Sequence, residues 1–201
     1  MNKTKVLWAA GVGLATLILA VSNLRAATDE KMNAQINNIA DMLEKGDAAG
    51  AKKAAKVIAD DKDFDLELVM WAFKLRTIKG KAVGVGVGTK AGVVKPEQDG
   101  IEVKIELIAS AGITPDALKK EAAALARTGY VVSAVGHITD SKRPEKDVGK
   151  AKVKDWVEWS DGLMKAGAEF TAAAKAENAG DLKKAANKIK QNCDSCHTVF
   201  K

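Results

Sequence analysis

Two cysteines occur in this chain of 201 residues, Cys193 and Cys196, and His197 follows the second directly. Thiols at this spacing can cycle between dithiol and disulfide, hold a metal, form a structural bridge, or add to the two vinyl groups of one porphyrin. The last also gives the histidine a part. Two intervening residues set the thiols about one helical turn apart, and the next side chain then offers an imidazole to the iron. On this reading Cys193 and Cys196 become the thioethers of one covalent haem c, and His197 is its proximal ligand. The rivals stay open but each lacks something. A redox pair would ordinarily follow a strand in a βαβ unit, and no such pattern flanks the motif. Zinc would need a fourth ligand, and His137 is the one other histidine. A plain disulfide leaves His197 without a role.

The elements that must position this triplet read as helices. Leu182, Ala185, Ala186, Ile189, Cys193, Cys196 and Phe200 recur at three- and four-residue steps, one face of a helix. Gly180 and Asp181 read as a helix stop and the N-cap of that last helix. Across the chain, hydrophobic residues make up 47% and aromatics only 4%. That balance favours helices packed through small side chains over a β-sandwich.

The first 26 residues have the layout of an export signal. Lys3 and Lys5 precede an uncharged run from Val6 to Asn23, and the first acidic residue is Asp29. Ala20-Val21-Ser22 fits a small-x-small cleavage rule, whereas a cut after Ala26 puts Leu24 at the −3 position. An uncleaved membrane anchor is the competing reading, because the run approaches the ~20 residues a span needs. Export predicts a periplasmic location. The formal charge of +6 loses Lys3, Lys5 and Arg25 with the leader, leaving 29 basic against 26 acidic residues, or +3. No basic patch interleaves with aromatics, so nucleic acid is not an expected partner.

Residues 27–79 read as helical. Ile36, Ile39, Met42 and Leu43 form one apolar stripe, Gly46-Asp47 breaks it, and Ala51, Ala54, Ala55 and Ile58 form the next. The echo between "LEKGDAAGAKKAAKVIA" and "AENAGDLKKAANKIK" reads as shared composition, not a repeat. "DFDLELVMWAFKLRTI" predicts a further helix carrying Met70, Trp71 and Phe73. Over 80–114 the glycine-rich "KGKAVGVGVGTKAGVVKPEQDG" matches no dinucleotide or phosphate-loop spacing. It reads as a flexible loop, or as a segment packed closely on a neighbour. "GIEVKIELIAS" alternates like a strand, but with no partner strand evident a helix is expected. Thr114-Pro115-Asp116 opens the next helix.

With these residues in view, the chain resembles the class II cytochromes c, the group of the cytochromes c′ and their low-spin relatives. The terminal Cys-x-x-Cys-His carries most of the likeness. "AKVKDWVEWSDGLMKAGAEFTAAAKAENAGDLKKAA", with Trp156 and Trp159, resembles the family's third helix and the turn into its fourth. "LARTGYVVSAVGHITD" resembles its first. The resemblance implies an all-α fold: a helical bundle of cytochrome c′ type over 115–201, with additional N-terminal helices. The family's second helix is missing, because only "SKRPEKDVGKA" joins the first to the tryptophan-bearing one. The exposed apolar stripe is then covered either by 27–79 packing on the bundle or by a second subunit, as a homodimer.

The resemblance also implies residue roles. Arg127 would pair with a haem propionate, with a solvated helix charge as the alternative, and Val131 would face the open side of the iron. His137 corresponds to a histidine that the family often carries without ligating. It lies about 9 Å beyond Val131 along a helix, so it is a rival sixth ligand and not a companion. Tyr130 is the distal candidate if the register slips by one. Met32, Met42, Met70 and Met164 read as core packing, and Met70 ranks first among them as a ligand. The leading expectation is an exported monohaem electron carrier working with redox partner proteins. The alternative is a five-coordinate protein binding nitric oxide or carbon monoxide, which a valine at the iron would favour. A non-haem structural protein with a terminal disulfide is the third reading. No nucleophile–base or paired-carboxylate constellation surrounds the motif, so no enzyme is expected.

Overall fold

The computed structural model describes residues 30–147 and 150–199. The expected leader at 1–26 and the apolar Phe200 lie outside these residues. The chain is mostly helical, and the two short strands of one hairpin are the only strands among the described residues. No helix among them is long and apolar enough to cross a membrane.

Helix α1 spans 30–44 and buries Met32, Ile36, Ile39 and Ala40 on one side. Gly46, at φ 80°, reverses the chain. Asp47 then caps α2 (Ala48–Ala59), accepting from the Gly50 amide at 2.8 Å. Asp65 caps α3 (Leu66–Trp71) in the same way. The helix expected to run on through Ile78 ends here instead. Leu75 and Arg76 give their backbone groups to the glycine-rich segment: the Gly84 amide donates to Leu75 O, the Val83 amide to Arg76 O, and the Arg76 amide to Asp99 O. A helical hydrogen-bond pattern cannot coexist with those partners. A hairpin of β1 (Thr77–Ile78) and β2 (Lys81–Ala82) follows. Its two turn residues, Lys79 and Gly80, both have positive φ, the geometry that suits a tight hairpin.

The glycine-rich segment is packed. Val83 through Gly88 are all buried, and Arg76 and Asp99 lie inside the segment as its polar core. The Arg76 guanidinium donates to Asp99 Oδ2 at 2.8 Å and to Gly88 O at 3.0 Å, while Asp99 Oδ1 accepts from the Val87 amide at 2.7 Å. A side chain at Gly84 would run into Lys74 O, which explains the residue there. "GIEVKIELIAS" forms α4 (Ile101–Ala111), the helical alternative, buried through Ile101, Ile105, Ile108 and Ala109.

Three long helices follow. Thr114 caps α5 (Pro115–Ser141) through the Ala117 amide. The 142–152 connection leads into α6 (Val153–Lys175), and a short turn leads into α7 (Ala179–Val199). The cap of α7 is Asn178, whose Oδ1 accepts from the Asp181 amide at 3.0 Å. Gly180 and Asp181, expected to stop one helix and cap the next, are already inside the first turn. There the Asp181 carboxylate suits the positive helix end.

Helix α5 is the centre. It packs most extensively on α6 and also meets α2, while α7 lies between α6 and α4. One apolar core runs from Met32 to Ile189 and includes residues of α1, α2 and α4 alongside the long helices. The α5–α6 seam is closed by small residues. A Cβ on Gly129 would collide with Thr171 Oγ1 and stand 2.6 Å from Gly167 O; one on Gly136 would stand 2.7 Å from Met164 Cγ. The hydroxyls of Thr171 and Ser133 donate across the seam to Ala126 O and Met164 O, both at 3.1 Å. Gly129→Ala should therefore destabilise the protein by about 1–3 kcal/mol through overpacking, even though alanine is the better helix former. A urea midpoint equal to or above that of the parent would show that the seam has room.

Candidate cofactor site

The last two turns of α7 carry the triplet. Cys193 and Cys196 are both free and half-buried, and His197 is exposed. Two cavities meet here. One, of about 220 Å³, lies between α3, α4 and α7 against Met70, Phe73, Ile101, Ile105 and Ile189, with Lys74, Glu102, Glu106 and Lys190 also lining it. The other, of about 40 Å³, lies against α6 at Trp156, Trp159 and Leu163 and includes Cys196. Met70, Phe73, Cys193 and His197 line both. The cleft is thus apolar on three sides.

Each wall has a local cause. α3 is too short to hold itself, and its end is tied down by other segments. The Val85 amide donates to Ala72 O at 3.0 Å and the Glu102 amide to Phe73 O at 2.9 Å. Lys74 and Glu102 add an ion pair at 2.6 Å. On the opposite side the Trp156 indole donates to Thr139 O at 2.8 Å, locking that ring to the end of α5.

Burial, with the neighbouring Asp194 charge, pushes the Cys193 thiol up to about 12. Burial also raises Cys196. A raised thiol pKa is opposite to the lowered one that activates a redox pair. Among the described residues no group of three or more His, Cys, Asp or Glu side chains could hold a metal ion. A zinc ion ligated by protein alone therefore finds no donor set there.

The residues expected on the distal side of an iron are not brought to this cleft. Arg127 is buried and turned toward α1, with Asp41 Oδ1 at 2.7 Å, Glu44 Oε2 at 3.2 Å and Asn37 O at 3.0 Å. Those carboxylates take the place expected of a propionate. Val131, one turn along the same face, is 1% exposed in the shared core and lines neither cavity. His137 is half-buried toward α2. Burial lowers its pKa, with Lys52 lowering it further and Asp140 opposing. Tyr130 accepts a hydrogen bond from Lys175. Arg127 and His137 are instead turned toward α1 and α2, which pack on α5. The acidic Asp41 and Glu44, three apart on α1, were the available signal for a buried arginine partner. Phe73, Ile105 and the flanking charges of α4 were missed as lining residues. Met70 is the member of the sequence shortlist that reaches the cleft.

The thiol values give a chemical expectation. In chain prepared without haem, iodoacetamide at pH 8 should alkylate Cys196 before Cys193, the more deeply buried thiol, since only the thiolate reacts. Because folding raises the Cys193 value, the folded state holds its proton to higher pH. Stability should then fall as pH rises from the ordinary thiol range of about 8.5 toward 12. Peptide mass spectrometry against time and pH-dependent denaturation check the two statements. No family model, no curated protein and no solved structure matches this chain.

Proposed function

We propose that the chain is an exported monohaem cytochrome of class II type, its bundle like that of the cytochromes c′, which carries single electrons in the periplasm. One observation carries the reading: Cys193, Cys196 and His197 all line an apolar cleft beneath the last helix, with Cys193 and His197 reaching both of its cavities. The chemistry of the cleft suits a porphyrin. Free thiols stand on the inner side, and aromatic and aliphatic walls flank them.

The haem supplies an iron that alternates between ferrous and ferric. The protein does the rest. Cys193 and Cys196 hold the group covalently, so that it is not lost during export or partner exchange. His197 offers its imidazole to the iron. Phe73, Trp156, Trp159 and Leu163 exclude water, which favours the less charged oxidation state. The gas-binding alternative depended on a valine facing the iron, and Val131 stands away from the cleft. Electron transfer is accordingly the better-supported function.

The test is covalent attachment. Mass spectrometry of protein made in a host with haem-attachment machinery should show one added haem, and the Soret band should survive denaturation. The Cys193→Ser, Cys196→Ser double variant should lose both signals, and His197→Ala should lower the holoprotein yield. A parent chain without covalent haem ends the proposal.

A further inference from the structure

We infer that Met70 supplies the second axial bond to the iron, from a short helix outside the bundle that the family resemblance covers; this rests on the haem reading above. Met70 and His197 come from α3 and α7, and each lines both cavities around Cys193. Met70 is the one thioether among the lining residues, and a thioether is a soft donor that binds iron without first losing a proton.

The other donors of the cleft are engaged. Lys74 is paired with Glu102 at 2.6 Å, and Lys190 with Asp194 at 2.7 Å. The Ser160 hydroxyl donates to Trp156 O at 2.6 Å, and the Thr139 hydroxyl to Val135 O at 2.9 Å. Asn192 donates to Lys188 O at 2.8 Å. Met70 needs no such partner, and it is half-buried against the core.

The mounting of α3 supports the same role. Its end is hydrogen-bonded to Val85 and to the first turn of α4, and the adjoining Arg76 is clamped by Asp99. A weak axial bond is kept only if its donor is held near the iron in both oxidation states. This arrangement accounts for the packed glycine-rich segment: it braces the helix that bears the ligand. It also predicts a low-spin iron in both states, with little rearrangement per electron.

The test uses the purified holoprotein. With methionine methyl groups labelled with ¹³C, the ferrous protein should show one methyl resonance shifted strongly upfield by the porphyrin ring current. Its optical spectra should be low-spin in both states, and carbon monoxide should leave the ferrous spectrum unchanged. Met70→Leu, close in volume, should lose that resonance, become high-spin when reduced and bind carbon monoxide. Met164→Leu should keep the resonance. A high-spin parent, or a parent without the shifted methyl, overturns the inference while leaving the haem reading intact; so does a Met70→Leu protein that stays low-spin. The parent measurement decides the matter even if that variant fails to fold. Absence of covalent haem removes both proposals together.

Discussion

The approach of α5 to α6 is the constraint on which the other placements depend. Where Gly129 faces Gly167 there is no room for even a methyl group, and backbone stands against backbone. Interaxial distances in helical proteins follow the side chains at the contact, so glycines at the crossing draw the two axes together. Once α6 is fixed, Trp156, Trp159 and Leu163 have their positions. The tight turn at Glu177 and Asn178 then brings α7 back along α6. The cysteine-bearing face is therefore set by a contact several turns away from it.

Outlying segments are attached to this axis by cations of low exposure. Lys104 of α4 meets Glu121 of α5, Arg127 of α5 meets Asp41 and Glu44 of α1, and Arg76 meets Asp99 within the glycine-rich segment. Desolvation offsets much of the attraction in such pairs, so the apolar core supplies most of the cohesion. What the pairs add is discrimination between registers. Sliding α1 by one turn along α5 would leave a buried guanidinium without an anion, a large penalty.

Much of the fold was readable because helices announce themselves locally. The apolar steps from Leu182 to Cys196, the Thr114-Pro115 start and the break at Gly46 each depend on neighbours within a turn or two. The end of α3 did not read out, since the competitors for its backbone, Val83, Gly84 and Asp99, lie well beyond any local window. Ile101–Ala111 was ambiguous for a related reason: it is apolar on more than one side, and only its burial against α7 decides for helix. At the site, the triplet was legible from spacing alone. Its surroundings were not. Two tryptophans of α6 and a methionine of α3 converge there from distant parts of the chain.

The bridge between Leu75 and Gly100 has a topological side. It joins the two ends of a 24-residue excursion, residues 76–99, and the Arg76–Asp99 pair sits just inside the join. The excursion is thus a closed ring, packed on the core through Val85, Val87 and Val94, with an exposed tip from Thr89 to Val93. Exposed tips of this kind tolerate cutting. Opened there, the ring would become two surface ends, with α1–α3 on one side of the cut and α4–α7 on the other.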